Sequence, residues 1–259
     1  LPGAFGPVAG PLGQAVADGS RVPFGPLQDG LQYRTGEGRA RVAPLPPHLQ
    51  GVHVTLFGPA DGVRQCAYAL NCLDRKLPGE PSIVAQVLET RGASVPMWGA
   101  DDEDSRTPLR TGMLASLSNL LNCFRGELPG APPLIASDRR ATPIKRVPGL
   151  AIPAYWMRVD GCPVPLHLLD LCLHLYYAWP IGERALTFYF PKLETEHEAR
   201  YLAALIAAAE DKLPAQHRRG STRVLVVLEN PRAVFRINEI MDALYPYFAG
   251  ASLGWHDYV

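Results

Sequence analysis

Two short apolar runs near the end of the sequence, residues 224–228 and 250–254, set the clearest hydrophobic pattern. Each run is too short for a helix, a stretch with helical spacing joins them, and a carboxylate follows each, Glu229 and Asp257. This pattern predicts a strand–helix–strand unit. Because the carboxyl ends of parallel strands meet at one edge of a barrel or sheet, we expect the two acids to lie on neighbouring strands and share a hard cation such as Mg²⁺. Either acid alone would more commonly cap a helix, but the matched positions favour the shared site.

The same alternation extends back through most of the chain. We expect further strands at residues 52–57, 95–98, 143–147 and 185–190, and helices at residues 62–73 (capped by Asp61), 109–124, 164–178 and 195–213. Residues 82–90 are ambiguous, and residues 156–163, which contain Asp160-Gly161, predict a turn or hairpin. Six strand–helix steps in alternation predict an α/β fold with parallel strands. We interpret them as an incomplete (β/α)8 TIM-type barrel, whose functional site lies at the carboxyl ends of the strands.

The first 50 residues lack this alternation and are rich in Gly and Pro. We expect residues 1–50 to form an extended arm and a loop, and residues 51–259 to form the partial barrel domain. The sequence begins at Leu1 rather than Met, which suggests that an upstream segment is missing; a removed organelle presequence is one explanation. We expect an intracellular protein, located in mitochondria or glyoxysomes if such a presequence was removed.

Composition narrows the functional classes. Hydrophobic residues make up 47% of the 259 residues and the formal net charge is zero, which argues against a nucleic acid as the main partner. No apolar run has the length of a membrane span. The five cysteines are scattered without a CxxC pair, so they fit a reduced interior better than a disulfide framework or a zinc site. Cys66 and Cys172 lie in helical patterns and are expected to pack in the core.

Charged residues recur at the predicted strand ends: Asp101 to Asp104, Arg146, Lys192, Glu194, Glu229 and Asp257. Several structural alternatives stay open for them. Glu103 and Asp104 would also suit a helix N-terminus. Arg146 could make a plain salt bridge with Glu103 or Glu229, and Lys192 with Glu194. His256, a softer ligand, could admit a transition metal, or it could be a surface or capping histidine. Residues 217–219 (His-Arg-Arg) could form a solvated basic loop or meet an acidic partner.

At these residues the chain resembles the malate synthases over about residues 41–259. The matching segments occur in the family's order: Val42-Ala43-Pro44 through Gly58-Pro59 to Leu70-Asn71, Glu103-Asp104-Ser105, Arg146, Val159-Asp160-Gly161 with Pro163-Val164-Pro165, Pro191-Lys192-Leu193-Glu194 with Glu198-Ala199-Arg200, and Glu229 with Asp257. The segment that begins at Pro191 resembles the family most closely. An acyl-CoA lyase of the citrate-lyase β-subunit type would share the barrel and the metal, but this segment fits malate synthase better.

The resemblance implies a site and a reaction. In that family Mg²⁺ holds glyoxylate, an aspartate removes a proton from the methyl group of acetyl-CoA, and the resulting enolate attacks the aldehyde before the thioester is hydrolysed to malate and CoA. Carried over, Glu229 and Asp257 would bind Mg²⁺, and Arg146 would stabilise the negative charge that develops on the aldehyde oxygen. Glu103 and Asp104 would hold metal-bound waters.

Departures from the family pattern leave two hypotheses. The family's Arg-Trp-Asp is Trp255-His256-Asp257 here, the arginine- and proline-rich surroundings of Arg146 are changed, and no residue matches the proton-abstracting aspartate. We expect strands seven and eight to be absent from this sequence, so that another chain or a continuation completes the barrel. The chain is then either the metal-binding portion of a malate synthase-type enzyme or an inactive structural subunit derived from one.

Overall fold

The computed structural model describes residues 40–50, 55–72, 78–90, 96–105 and 109–258. The expected arm at residues 1–39 and the start of the first predicted strand, residues 51–54, lie outside this range. Along the described chain, strands and helices alternate as follows: β1 (Thr55–Gly58), α1 (Val63–Leu70), α2 (Ser82–Thr90), β2 (Met97–Asp101), α3 (Arg110–Arg125), β3 (Thr142–Arg146), β4 (Pro153–Val159), β5 (Cys162–Pro165), α4 (Leu166–Ala178), β6 (Thr187–Phe190), α5 (Glu196–Glu210), β7 (Arg223–Leu228), α6 (Pro231–Phe235), α7 (Ile237–Ala243), β8 (Phe248–Leu253) and α8 (Trp255–Tyr258).

Six strands form one parallel sheet in the order β1-β2-β3-β6-β7-β8. The strands follow their order in the chain, with a helical connection after each, which is the topology of a (β/α) barrel. The sheet with its helices is therefore a half-barrel, and the fold class predicted from the sequence is confirmed. The expected hairpin is also present, because β4 and β5 pair antiparallel around Asp160 and Gly161, whose φ angles of 50° and 80° suit a tight turn.

Residue alternation along the strands separates two faces of the sheet. In β6, Phe188 and Phe190 pack into the main core under the helices, whereas Tyr189 between them lies on the opposite, inner face. The helix-covered face holds the larger core. The inner face holds a smaller apolar cluster, made of Leu49, Met97, Ile144, Tyr189 and Val227.

A short 3₁₀ turn, Pro47–Leu49, attaches the segment before β1 to this inner face. Leu49 is buried there, and His48 contacts Thr187 at the start of β6, with 3.3 Å between Nε2 and Oγ1. Arg41 pairs with Asp242 of α7 at 2.8 Å and lies over the Tyr245 ring. Residues 40–50 therefore pack against the half-barrel.

Several details differ from the sequence-based expectation. Asp61 does not cap α1, because the N-cap is Gly62 and no side chain caps it. The helix expected after β7 is divided into α6 and α7 at Arg236, and the residues just before β6, Glu183–Leu186, form a 3₁₀ turn rather than strand. None of the helices described here is both long and apolar enough to cross a membrane. The cysteines are thiols rather than disulfides; Cys66 is buried and Cys172 is half-buried.

Candidate functional site

The pairing of β2 with β3 sends neighbouring charged residues to opposite faces of the sheet. Asp101 pairs in register with Arg146, and Ala100 with Lys145. Successive side chains of a strand point to opposite sides, so Asp101 and Arg146 lie on the inner face while Lys145 and Asp102 lie under the helices. Two charged clusters result, one on each side of the sheet.

Arg146 is the centre of the inner cluster. Its Nη2 lies 2.6 Å from Glu103 Oε2 and 2.8 Å from Asp104 Oδ2, and its Nη1 lies 3.4 Å from Asp101 Oδ2. Its guanidinium also lies over the Phe57 ring at 5.7 Å. Burial opposes the charge on Arg146, but the three carboxylates outweigh it, so that the pKa of the guanidinium is raised.

The acidic turn after β2 presents its carboxylates to Arg146. Asp101 Oδ1 accepts hydrogen bonds from the backbone N–H groups of Glu103 and Asp104 at 3.0 and 3.2 Å, and Ser105 donates to Asp101 Oδ2 at 2.6 Å. This is an Asx-type turn, closed by the aspartate side chain. The alternative that Glu103 and Asp104 are helix N-terminal acids is wrong, because α3 begins only at Arg110.

Lys192 connects this turn to the ends of β7 and β8. Its Nζ lies 2.9 Å from Asp257 Oδ2, 3.6 Å from Glu103 Oε1 and 3.8 Å from Asp104 Oδ1, and its backbone N–H donates to Glu229 Oε1. The φ of Lys192 is 56°, in the left-handed region that costs a non-glycine residue roughly 1–2 kcal/mol. The alternative of an ion pair between Lys192 and Glu194 is wrong, because Glu194 pairs instead with Arg232 at 2.8 Å.

Glu229 and Asp257 lie together at the carboxyl edge, although Asp257 is in the short helix α8 rather than directly at a strand end. Burial raises the pKa of Glu229, and the nearby Asp257 charge adds to that rise. The pKa of Asp257 is lowered, chiefly by the hydrogen bond from Lys192 and also by a contact with Glu229. Lys192 bonds to both carboxylates, through its backbone N–H to Glu229 and through its ammonium group to Asp257.

Gly254 allows this close approach. A Cβ atom there would lie 2.7 Å from both Glu229 Cβ and Val227 Cγ1, closer than real Cβ contacts. Its backbone N–H donates to the Leu228 carbonyl at 2.8 Å, which holds the end of β8 against the end of β7. A glycine at this position thus brings the chain that carries Asp257 next to Glu229.

Two buried polar atoms of the inner cluster have no hydrogen-bond partner among the residues that the structure describes. They are Glu103 Oε1, an acceptor, and Arg146 Nε, a donor. Burial raises the pKa of Glu103 to about 7, against the opposing effect of Arg146. Unsatisfied buried groups of this kind carry a desolvation cost, and they are common where a ligand binds.

The cluster under the helices was not predicted from the sequence. Lys145 is fully buried; its Nζ contacts Asp102 and lies 2.9 Å from Asp170 Oδ1 of α4. Ser116 of α3 donates to Asp102 at 2.6 Å. The available signal was weak: a lysine next to Arg146 in a short strand, and one acidic residue in the largely apolar helix α4.

The basic residues of the loop at residues 217–219 lie next to acidic side chains of the same chain. The loop residues Arg218 and Arg219 are exposed and contact Glu183 and Asp211. The His217 side chain is not solvated, since it is buried 3.3 Å from Glu210. The alternative of a solvated basic loop therefore holds for the two arginines and is wrong for His217.

The donor atoms at the carboxyl edge fit a hard divalent cation. They are carboxylate oxygens, the ligands that Mg²⁺ prefers. One of them, Glu103 Oε1, is buried and accepts no hydrogen bond from the part of the chain that the structure describes. Within the described ranges, no group of three or more His, Cys, Asp or Glu side chains is placed to hold a metal. Mg²⁺ is usually bound by only one or two carboxylates together with waters and substrate, so Glu229 and Asp257 would suffice.

The parallel half-barrel, with charged side chains at the carboxyl ends of its strands, defines part of a TIM-barrel domain. Residues 143–259 match the family model for the malate synthase TIM-barrel domain. The chain is 30% identical to malate synthase from Oryza sativa subsp. japonica over 84% of its length, and 29% identical to malate synthase from Myxococcus xanthus over 95%. It is 25% identical to the glyoxysomal malate synthase of Ricinus communis over 86%. The chain belongs to the malate synthase family.

These matches cover only part of each relative. The chain spans 36% of the rice protein, 41% of the Myxococcus protein and 37% of the Ricinus protein. The family assignment therefore applies to this barrel segment.

Proposed function

We propose that this chain provides the metal- and glyoxylate-binding part of a malate synthase-type acyltransferase, which condenses acetyl-CoA with glyoxylate to malate. The observation that carries the proposal is that Lys192 bonds both to Glu229, just after β7, and to Asp257, in α8 just after β8, beside the Arg146 cluster. Family membership supports the reaction class, and the geometry supports the use of these residues in it.

In this proposal Glu229 and Asp257 hold Mg²⁺. The bound ion would supply Lewis-acid polarisation of the glyoxylate carbonyl and fix its orientation. Arg146 uses its unsatisfied Nε–H to donate to the aldehyde oxygen as that oxygen gains negative charge. Glu103 and Asp104 bind the other guanidinium edge and so fix the direction of Nε. Their carboxylates would also hold waters of the bound ion.

The proposal requires polypeptide beyond the described half-barrel. β1 and β8 are the edge strands of the described sheet, and parallel sheets are normally covered and closed. Further strands, from this chain's own protein or from a protein partner, would close the barrel and deliver the base that removes the acetyl-CoA methyl proton. We also propose the domain division stated above, with residues 1–50 as arm and loop. A glyoxysomal or mitochondrial location is part of this proposal; the name of the Ricinus relative supports the glyoxysomal one.

A second candidate function is structural. In the described structure Lys192 and Arg146 already pair with the carboxylates of the edge, so the cluster could serve only to hold the ends of β2, β3, β7 and β8 together. The chain would then be an inactive subunit of a larger assembly. This alternative predicts that the cluster binds neither Mg²⁺ nor glyoxylate.

Calorimetric titration of Mg²⁺, followed by glyoxylate, separates the two candidates when it is done on the chain in its natural assembly. We expect Mg²⁺ to bind and Glu229→Ala to abolish binding. Glu194→Ala is the matched control, since Glu194 follows β6 at the same edge but pairs with Arg232 instead. Absence of both Mg²⁺ and glyoxylate binding in the wild-type protein would leave only the structural function.

A further inference from the structure

Lys192 lies among the same carboxylates that a divalent cation would need. Its ammonium group is within 4 Å of three of them, on Glu103, Asp104 and Asp257, and its backbone N–H holds the fourth, Glu229. These acids come from the turn after β2 and from the ends of β7 and β8. A single positive charge therefore joins the three parts of the site.

We infer that Lys192 is a displaceable counter-ion: its ammonium group neutralises the carboxylates while no metal is bound and leaves them when a divalent cation binds. The inference rests on the proposed function, because it assumes that the cation uses Glu229 and Asp257. The inference adds that the metal competes with the Lys192 ammonium group for the carboxylates, and that this competition sets the affinity of the site for metal.

The two cations of the site differ in how firmly they are held. The Arg146 side chain is 10% exposed and contacts three carboxylates, two of them at hydrogen-bonding distances below 3 Å. The Lys192 side chain is 44% exposed, and its one short contact is to Asp257, which is itself 49% exposed. A lysine ammonium is a strongly hydrated point charge on a flexible stem, so it exchanges readily between a partner and water. Lys192 is the cation that can leave.

The backbone and the side chain of Lys192 act separately. The left-handed backbone places the N–H of Lys192 on Glu229, and this bond does not depend on where Nζ lies. When the ammonium moves out to solvent, Glu229 thus stays oriented toward the site. The movement needs no change in the strands.

Glu103 gives an independent indication that Lys192 is a replaceable partner of these carboxylates. Its side chain is 2% exposed, yet Oε1 makes no hydrogen bond with any described residue, and the ammonium of Lys192 stays 3.6 Å away. The buried oxygen is therefore left unsatisfied by the lysine. A divalent ion with its water ligands can reach this acceptor, which favours exchange of the lysine for the ion.

The test is a metal titration of Lys192→Met with Mn²⁺, followed by the electron paramagnetic resonance signal of the free ion, on the chain in its natural assembly. We expect the Kd for Mn²⁺ to fall about fivefold. This factor corresponds to the free energy of a partly exposed ion pair, which the ion no longer has to displace. The metal-free variant should unfold at a lower temperature than the wild type and gain more on adding Mn²⁺. Lys192→Gln is a second replacement in case the Met variant does not fold, and Lys212→Met is the control, because Lys212 is exposed just after α5, at the opposite end of the sheet.

The outcomes separate the inference from the proposed function. Unchanged or weaker Mn²⁺ binding by both Lys192 variants, with normal binding by the wild type, would overturn the counter-ion role and leave the metal site standing. Binding by the variants but not by the wild type would support the competition by Lys192 and overturn metal binding by the unaltered chain. No binding by any of the proteins would overturn both.

Discussion

The buried Lys145 cluster gives a stability prediction whose size follows from the structure. Lys145 is fully buried, its ammonium contacts Asp102 and Asp170, and the two carboxylates raise its pKa against the effect of burial. Lys145→Met keeps the volume of the side chain and removes the charge. Asp102 and Asp170 then stay buried without that cation, a loss that typically costs about 3–5 kcal/mol when one partner of a buried pair is removed.

The assay is urea unfolding at neutral pH, followed by far-UV circular dichroism, with a parallel thermal melt. For a chain of this size the expected loss corresponds to a fall in Tm of roughly 6–20 °C. The triple variant Lys145→Met, Asp102→Asn, Asp170→Asn removes all three charges together and should recover more than half of the loss. Lys212→Met, at an exposed site, should change stability by less than about 0.5 kcal/mol.

A stability of the Lys145→Met variant within about 1 kcal/mol of the wild type would refute this reasoning. The two aspartates would then be stabilised by something other than Lys145. A triple variant less stable than the single variant would also refute this reasoning. It would show that the role of Lys145 is not to compensate the charges of the two aspartates.

Two further predictions concern the inner face. Gly254→Ala should lower the free energy of unfolding by about 1–3 kcal/mol and weaken Mg²⁺ binding, since the new Cβ would lie 2.7 Å from Glu229 Cβ. Gly250→Ala is the control, because its Cβ would meet Leu225 no closer than 3.7 Å. Equal effects in the two variants would contradict the steric reason. Glu103→Gln should flatten the pH dependence of stability. In the folded state the pKa of Glu103 is about 7, above the ordinary 4.5, so the folded protein binds this proton more tightly than the unfolded chain. The stability that this proton contributes is therefore complete below pH 4.5 and is lost as the pH rises to 7. Urea midpoints at pH 5 and pH 7 measure this slope, and identical slopes in variant and wild type would count against the raised pKa.

The parts of the fold that depend on local pattern were predictable from the sequence. The run at residues 224–228 is apolar throughout because both faces of β7 are covered, and the carboxylate directly after it marked the strand end. The strand at residues 143–147 and the hairpin at Asp160-Gly161 were likewise expected. Residues 82–90 could not be assigned from their pattern, since a short apolar stretch suits both helix and strand; the structure makes them helical.

The features that were missed depend on contacts between distant segments. Lys145 meets Asp170 only because α4 packs behind β3, and no spacing in the sequence encodes that meeting. The alternative left open for Lys192 was an ion pair with Glu194, two residues away, whereas the left-handed backbone at Lys192 directs the chain toward β7 and β8. A positive φ in a non-glycine residue has no reliable sequence signal. Asp257 was assigned to a strand end, but it reaches Glu229 through one short helical turn.

The most direct test of the shared cation site is a crystal structure of the chain in its natural assembly, grown with Mn²⁺ and measured at the manganese absorption edge. We predict one anomalous peak in direct coordination with both Glu229 and Asp257, with the Lys192 ammonium displaced toward solvent. The contrary result is an empty carboxyl edge at saturating Mn²⁺, with Lys192 still bonded to Asp257. That finding would mean that the two carboxylates meet to pair with lysine and not to bind a metal.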